Sequence, residues 1–301
     1  MSRPARIMPK VVEPLSFDHD GWFSEGFGNE TFGFTPNFQM VPRRGDRFII
    51  VLIEGEECIV SSRNASIATV TSPLQDASST PNRVVLRPLV PTAISTVVMV
   101  HGVQTGRTQI DVSSTGGKTL GTVEISVKDE ITKTYRLWGL KDIVRRTTRT
   151  PVQMISIMNN VATLYKAQAN VKLVQLDAPL DLLFKEDLGD PISSPNLLTI
   201  KVAVGIKLSK QAGADFDIVS TWDIPDAVGQ TNPISGVCLV EDYKPGLDLQ
   251  ETSTFAHELG HAFSIGGHTT RTKMMMSGDG TDGFQMRMLD MDSINPTGQR
   301  A

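Results

Sequence analysis

The segment that decides the fold is FAHELGHAFSIGGH, residues 255–268. His257 and His261 are four positions apart, so on a helix both imidazoles project from one face and can reach a single metal ion. Zinc binds imidazole nitrogen readily, and three protein ligands leave a fourth position for water. Glu258, next to the first histidine, is placed to take a proton from that water and pass it to a leaving amine. The pattern predicts zinc-dependent hydrolysis.

The third ligand must come from beyond this helix. No glutamate follows Glu258, which excludes a zinc site completed by a downstream glutamate. His268 lies seven residues after His261, about 10 Å further along an unbroken helix, so the helix must end between them. Gly266 and Gly267 are the predicted stop, because glycine accepts the left-handed conformation that ends a helix.

Two aspartates compete with His268 for the third position. Asp279 and Asp282 lie in SGDGTDG, and carboxylates also bind zinc. Histidine is favoured because three of the five histidines in the chain fall within twelve residues. We therefore predict that His257, His261 and His268 bind Zn²⁺ and keep Asp279 and Asp282 as alternatives to His268.

The segment resembles the metzincin zinc endopeptidases, whose signature is HExxHxxGxxH followed by a methionine turn beneath the metal. His257, Glu258 and His261 match this signature position for position. Ser264 stands where the family has glycine, and the third histidine comes one residue late, a spacing similar to that of the archaemetzincins. The cysteine-rich second zinc site of those proteins has no counterpart here, since no cysteine follows Cys238.

The resemblance also implies roles for residues on both sides of the zinc helix. Met276, eight residues after His268, is expected to form the methionine turn, and residues 289–295 (LDMDSIN) are similar to the start of the last metzincin helix. In metzincins the strand before the zinc helix is an edge that pairs with extended substrate. Four residues are expected in that role: Gly236, Val237, Cys238 and Leu239. Cys238 would be an inhibitory thiol only if it were exposed.

Residues 39–129 are predicted to form an all-β domain, because seven short β-branched runs alternate with turn residues. The runs are 47–53, 58–61, 68–71, 83–87, 95–101, 108–113 and 121–128. The text SSRNASIATV, followed by Gly102, Gly106 and Ile110, resembles bacterial immunoglobulin-like domains of group 2, which act as spacers or adhesion units. Residues 1–38 are interpreted as an irregular arm, with docking to a carrier or delivery apparatus as the functional alternative.

Residues 130–301 are predicted to form an α/β domain of metzincin type. Thr150 and Pro151 predict a helix start, through a threonine cap and a proline in the first turn, and the helix continues to about residue 169. Strands are predicted at 135–140, 171–176, 198–204, 216–220 and 236–240, with a surface loop at 177–196.

Composition limits the possible partners and compartments. The net charge of −4 over 301 residues offers no electrostatic basis for nucleic-acid binding, and Arg145, Arg146 and Arg149 are interpreted as a solvated surface. No apolar run approaches the roughly 18 residues of a membrane span, and no signal-peptide pattern is present. Cys58 and Cys238 are expected to be single thiols.

These features predict a zinc metalloendopeptidase behind an immunoglobulin-like domain, acting on protein or peptide substrates as a bacterial or phage effector. Two alternatives stay open: a structural or adhesive surface or virion protein with an accessory zinc domain, and a zinc amidase acting on peptidoglycan. Because the front domain resembles surface modules while no signal peptide is seen, export by a non-classical route is expected, with the cytoplasm as the alternative location.

Overall fold

The computed structural model describes residues 6–10, 37–53, 57–72, 82–86, 94–208, 213–225, 227–242, 248–268, 275–276, 286 and 288–298. The chain divides into two compact units. The first comprises Met1–Glu130, Ala167–Asn170 and Arg287–Ala301, and the second comprises Ile131–Lys166 and Val171–Met286. The C-terminal segment, which the sequence placed in the second domain, thus groups with the first unit. No helix of the described residues is both long enough and apolar enough to cross a bilayer.

The described part of the first unit is built mainly of strands. They are β1 (Arg6–Lys10), β2 (Asn37–Pro42), β3 (Asp46–Ile53), β4 (Cys58–Ser62), β5 (Ala68–Thr71), β6 (Arg83–Leu86), β7 (Ile94–Gly102), β8 (Gly106–Ser114) and β9 (Thr119–Lys128). One sheet has the order β1, β3, β7, β5, and the other has the order β2, β9, β8, β4, β6. Aliphatic side chains from both sheets form one core, in which alternate residues such as Ile110, Val112, Val123 and Ile125 are fully buried. The seven predicted strands are confirmed as β3 to β9.

Two strands of this unit were not predicted. β1 lies within the predicted arm and pairs antiparallel with β3, while β2 pairs parallel with β9. Residues 1–5 and 11–36 of the arm lie outside the described residues. The carrier-docking role suggested for the arm stays a prediction.

A buried lysine joins the C-terminal segment of the first unit to β9. The side chain of Lys128 is 0% exposed and forms an ion pair with Asp292, 2.9 Å from Nζ to Oδ1. Its ammonium also donates to the carbonyls of Asn295 at 2.5 Å and Thr297 at 2.9 Å. Asp292 lies on α4 (Met288–Ile294) and pairs with Arg107 as well. A buried charge is tolerated only with such partners.

We expect Lys128→Met to lower the free energy of unfolding by about 3 kcal/mol. Methionine fills a similar volume but leaves Asp292 and two carbonyls without their buried donor, and breaking a buried pair on one side is strongly destabilising. Urea unfolding of the intact chain, followed by circular dichroism, measures the change. Lys118→Met is the matched control, because Lys118 is exposed on the β8–β9 turn. Equal midpoints for the two variants would contradict the prediction.

The second unit combines a sheet with helices. Its strands are β10 (Ile131–Lys141), β11 (Val171–Gln175), β12 (Leu180–Leu183), β13 (Phe216–Thr221), β14 (Gly229–Asn232) and β15 (Val237–Glu241). Its helices are α1 (Pro151–Ala169), whose last residues group with the first unit, α2 (Ser194–Leu208) and α3 (Asp248–Ala262). The main sheet has the order β11, β10, β13, β15, β14, and only β14 is antiparallel to its neighbour. The prediction of a β-rich domain followed by an α/β region is confirmed at this level.

The strand predicted at 198–204 is wrong, because these residues belong to α2. Alternation of β-branched residues favoured a strand, but burial follows the helical period. Ile200 and Val204 are buried, whereas Leu198 is 62% exposed and Val202 is 50% exposed. The buried face of α2 packs on Trp138 and other apolar side chains of the sheet. The predicted loop at 177–196 also contains β12 and the first turn of α2.

The helices α1 and α3 meet on the opposite face of the sheet from α2. Tyr165 of α1 stacks on Phe263, with ring centroids 5.4 Å apart, and its hydroxyl donates to the carbonyl of Ala256 on α3. Phe216 of β13 contacts Phe263 as well. These contacts hold α3 against the sheet, and they determine where its histidines lie.

Candidate metal centre

The helix that carries His257 and His261 ends earlier than the glycines predicted. α3 ends at Ala262, and Ser264 takes the left-handed conformation with φ of 68°. The amide of Ser264 donates to the carbonyl of His261, and the amide of Ile265 donates to the carbonyl of Gly260. This pair of bonds is the Schellman motif, which normally has glycine at the left-handed position. The stop predicted at residues 266–267 is therefore corrected to Ser264, the position at which the metzincin signature has glycine.

The three predicted histidine ligands come together around one point. Their Nε2 atoms lie 3.2 Å apart for His257 and His268, 3.1 Å for His257 and His261, and 3.1 Å for His261 and His268. Nδ1 of His257 donates to the carbonyl of Met275 at 2.9 Å, and Nδ1 of His261 donates to the carbonyl of Ile265 at 2.7 Å. A carbonyl can only accept, so both Nδ1 atoms carry a proton, and in the neutral form of each ring Nε2 presents a lone pair.

This arrangement fits a zinc ion. Lone pairs of two neutral imidazoles that face each other repel unless a cation lies between them, and the backbone carbonyls fix the rings in the tautomer that binds metal through Nε2. Tetrahedral zinc with Zn–N bonds of about 2.0–2.1 Å holds its ligand nitrogens about 3.3 Å apart, close to the observed separations. Burial lowers the pKa of His257 to about 4, which keeps the ring neutral near pH 7. Asp279 and Asp282, the alternative ligands, lie outside the described residues.

The carboxylate of Glu258 is buried beside the histidines and is held by a strand that the sequence did not point to. The hydroxyl of Thr231, on β14, lies 2.5 Å from Oε2 of Glu258. A Cβ added at Gly229 would lie 2.5 Å from Oε1, so this position must be glycine for the carboxylate to fit. Burial raises the pKa of Glu258 to about 7, while the Thr231 hydrogen bond and the charge of Lys201 act in the opposite direction. A general base works best with its pKa near the operating pH.

The methionine pair lies directly against α3. Met275 and Met276 are buried, and a Cβ added at Gly260 would lie 2.5 Å from Sδ of Met276 and 3.0 Å from Cε of Met275. Gly260 stands between Glu258 and His261, so its missing side chain lets the methionines approach the helix. The carbonyl of Met275 is also the acceptor that orients His257.

We expect Gly260→Ala to lower the free energy of unfolding by about 1–3 kcal/mol and to weaken zinc binding. The added methyl group overlaps Met276, and overpacking of a close contact costs this much. Alanine has a higher helix propensity than glycine, so helix propensity alone would make this variant more stable. A loss of stability would therefore be due to the steric clash. Gly266→Ala is the matched control, since nothing lies within 4 Å of its added Cβ. Thermal unfolding with and without zinc measures both effects, and a stabilised Gly260→Ala would contradict the contact.

The strand predicted to bind substrate is not at the edge of the sheet. β15 pairs with β13 on one side and with β14 on the other, so Val237, Cys238 and Leu239 have no free backbone edge. Gly236 precedes β15 in a left-handed turn. Cys238 is buried and its thiol contacts the carbonyl of Glu258 at 3.6 Å, which excludes it as an exposed inhibitory thiol. The edge assignment is corrected to β14.

β14 is the edge strand beside the histidines. It pairs with β15 antiparallel, and no other strand of the described residues pairs with it. Together with the histidines it lines a cavity of about 1060 Å³, which also has apolar walls from Ile224, Val228 and Ile265. Nothing in the polar sequence Gly229–Asn232 distinguishes an edge strand from a loop, so the sequence could not reveal this role.

Within the arginine cluster, Arg146 is exposed as predicted, but Arg149 is buried and is not part of a solvated surface. The guanidinium of Arg149 is buried and donates to Ser220 at 2.8 Å and to the carbonyl of Glu241 at 2.5 Å. It lies over the ring of Phe255 and near the carboxylate of Glu251, both on α3. Arg149 thereby connects the ends of β13 and β15 to α3. Arg145 pairs instead with two carboxylates of the loop after β12, Asp187 and Asp190.

Comparisons with known proteins do not place the chain in a family. No family model matches it, and no curated protein matches it. Domains 4 and 5 of the S-layer protein SbsC are 21% identical over 29% of this chain and 45% of that chain, with a TM-score of 0.21. A chaperone–substrate complex is 11% identical over 68% of this chain and 38% of that chain, with a TM-score of 0.38. A family 123 glycoside hydrolase from Clostridium perfringens is 8% identical over 74% of this chain and 38% of that chain, with a TM-score of 0.23.

The chain spans less than half of the length of each of these three structures. Similarity at such low scores carries no argument about fold or function. The geometry of the site is therefore the basis for a functional conclusion.

Proposed function

We propose that the second unit is a zinc-dependent endopeptidase of metzincin type. The observation that carries this proposal is the convergence of three histidine Nε2 atoms, 3.1–3.2 Å apart, next to the buried carboxylate of Glu258. His257, His261 and His268 would hold the ion, with the carbonyls of Met275 and Ile265 orienting two of the rings. Zinc, when bound, supplies a Lewis acid that lowers the pKa of a water and polarises a carbonyl.

Glu258 takes the proton from the attacking water and passes it to the leaving amine. Thr231 holds Oε2 in place, and Gly229 leaves room for Oε1, so the carboxylate enters the reaction in one orientation. Preorganisation of this kind removes the cost of positioning the base in the transition state. The surrounding cavity walls are mostly apolar, which strengthens the electrostatic effects of the charged groups within it.

β14 provides the binding surface for an extended peptide. Its outer edge faces no described strand, and a substrate can add to it through backbone hydrogen bonds. Thr231 and Gly229, which hold the general base, lie on this same strand. A peptide that adds to the edge is therefore brought next to Glu258, and this favours an endopeptidase over hydrolases that do not bind an extended backbone.

We infer that the first unit is an immunoglobulin-like spacer for a protease that acts outside the producing cell. Two sheets around one aliphatic core support a sandwich of this type. The segment SSRNAS, which resembles bacterial immunoglobulin-like domains of group 2, leads into a turn. In this turn the side chain of Asn64 accepts hydrogen bonds from the amide and hydroxyl of Ser66.

Digestion of casein, compared with digestion of purified cell wall, tests the proposed function. We expect the zinc-loaded protein to cleave casein internally, to lose the activity with a chelator and to regain it with zinc. Release of peptides from cell wall without cleavage of casein would favour the amidase. A zinc-loaded protein inactive on both substrates would favour the structural or adhesive alternative.

A further inference from the structure

We propose that the cavity beside the histidines selects a substrate side chain with a positive charge, lysine or arginine, and that Glu241 recognises it. This inference rests on the proposed function, because it concerns the substrate of the same site. It follows from three features of the described residues: the charges that line the cavity, the ion pairs around Glu241, and the distance from Glu241 to the histidines along α3.

The described wall of the cavity carries carboxylates but no cationic side chain of lysine or arginine. Glu258 and Glu241 line it together with apolar side chains such as Ile224, Val228 and Met275. Glu258 is committed to the chemistry and to its bond with Thr231. Among the described carboxylates that line the cavity, Glu241 is therefore the one available to a ligand. Lysine and arginine have a long apolar stem and a charged tip, which fit an aliphatic wall that ends in a carboxylate.

The negative charge of Glu241 has no ion-pair partner among the described residues. Its Oε2 accepts a hydrogen bond from the amide of Ile224 at 3.4 Å. The nearby cation, Arg149, pairs with Asp242 at 3.6 Å and Glu251 at 3.3 Å, and its hydrogen bond to Glu241 is to the backbone carbonyl, so its charge acts on the Glu241 carboxylate without a direct ion pair. This end of the cavity is therefore left with excess negative charge, which favours cations.

The distance suits a long side chain. Arg149 ties Glu241 to Glu251 on α3, and Ser253 and Thr254 line the cavity one turn before His257. Glu251 precedes His257 by six residues, which rise about 9 Å along the helix axis. A substrate side chain that reaches from the histidines to this end of the cavity must therefore be long, as those of lysine and arginine are.

Cleavage of a peptide library by the zinc-loaded full chain tests this inference. In the wild type we expect lysine and arginine to be enriched at one position next to the cleaved bond, about tenfold or more over leucine and methionine. Glu241→Gln keeps the shape of the side chain, removes the charge and should abolish the enrichment. Glu241→Asp, which keeps the charge, should retain part of it. Asp223→Asn is the matched control, because Asp223 is an exposed carboxylate close to Glu241 that does not line the cavity.

Binding provides a readout that does not depend on turnover. In the inactive Glu258→Gln background, a peptide with lysine should bind about tenfold more tightly than the same peptide with norleucine, and Glu241→Gln should remove the difference. Cleavage without enrichment of basic residues, or enrichment that survives in Glu241→Gln, would overturn the inference and leave the proposed function standing. If no peptide is cleaved, the proposed function fails and the inference fails with it.

Discussion

We expect Glu258→Gln to abolish peptide hydrolysis while zinc stays bound at about one ion per chain. The glutamine keeps the volume of the side chain and can still accept the Thr231 hydrogen bond, but it cannot take up a proton. General acid–base catalysis contributes a factor on the order of 10² to 10⁴, and we expect a loss of this size in kcat. Turnover of a casein-derived peptide and zinc content by mass spectrometry measure the two properties on the same sample.

Variants of Thr231 provide the control for this prediction. Thr231→Ser keeps the hydroxyl that holds Oε2 of Glu258 and should retain most of the activity. Thr231→Val keeps the volume, removes the hydroxyl and should lower kcat about tenfold, because a hydrogen bond to a charged group is lost. KM and zinc content should change little in both. Full activity of Glu258→Gln would show that another group acts as the base.

Removal of a histidine ligand should affect the metal itself. We expect His268→Ala to weaken zinc binding by more than about 100-fold, because loss of a supporting group around a ligand already costs 10- to 100-fold. Its Nε2 lies within 3.2 Å of the other two Nε2 atoms, so an ion bound there contacts all three rings. Competition with a chromophoric chelator measures the affinity of the purified full chain.

His101→Ala is the matched control for His268→Ala. His101 lies in the first unit, where its Nδ1 contacts Asp46 at 2.8 Å, and its loss should leave zinc affinity unchanged. Equal zinc affinity of His268→Ala and wild type would place the third ligand elsewhere. Asp279 and Asp282 would then be the residues to replace.

Local patterns were sufficient for much of the fold. The strands β3 to β9 follow from alternation of β-branched residues between turns, and α1 begins at Pro151 as the threonine cap predicts. Such patterns reflect contacts between residues close in sequence or a simple inside–outside period. The same alternation was misleading for α2, because three exposed apolar or β-branched residues obscured the helical burial period: Leu198, Thr199 and Val202.

For the candidate metal site, too, local sequence predicted some features and tertiary structure decided others. By itself the sequence determined that His257 and His261 share one face of a helix with Glu258 beside them, and that His268 follows a helix stop, because these relations depend on helical geometry over a dozen residues. Only the tertiary structure decided which strand borders the site, which residues hold Glu258, and that Arg149 is buried. Pairing and packing between segments far apart in the chain determine the positions of β14, with Thr231 and Gly229, and of Arg149. No local pattern encodes such partners, because the free energy of each contact depends on where the rest of the fold places both sides.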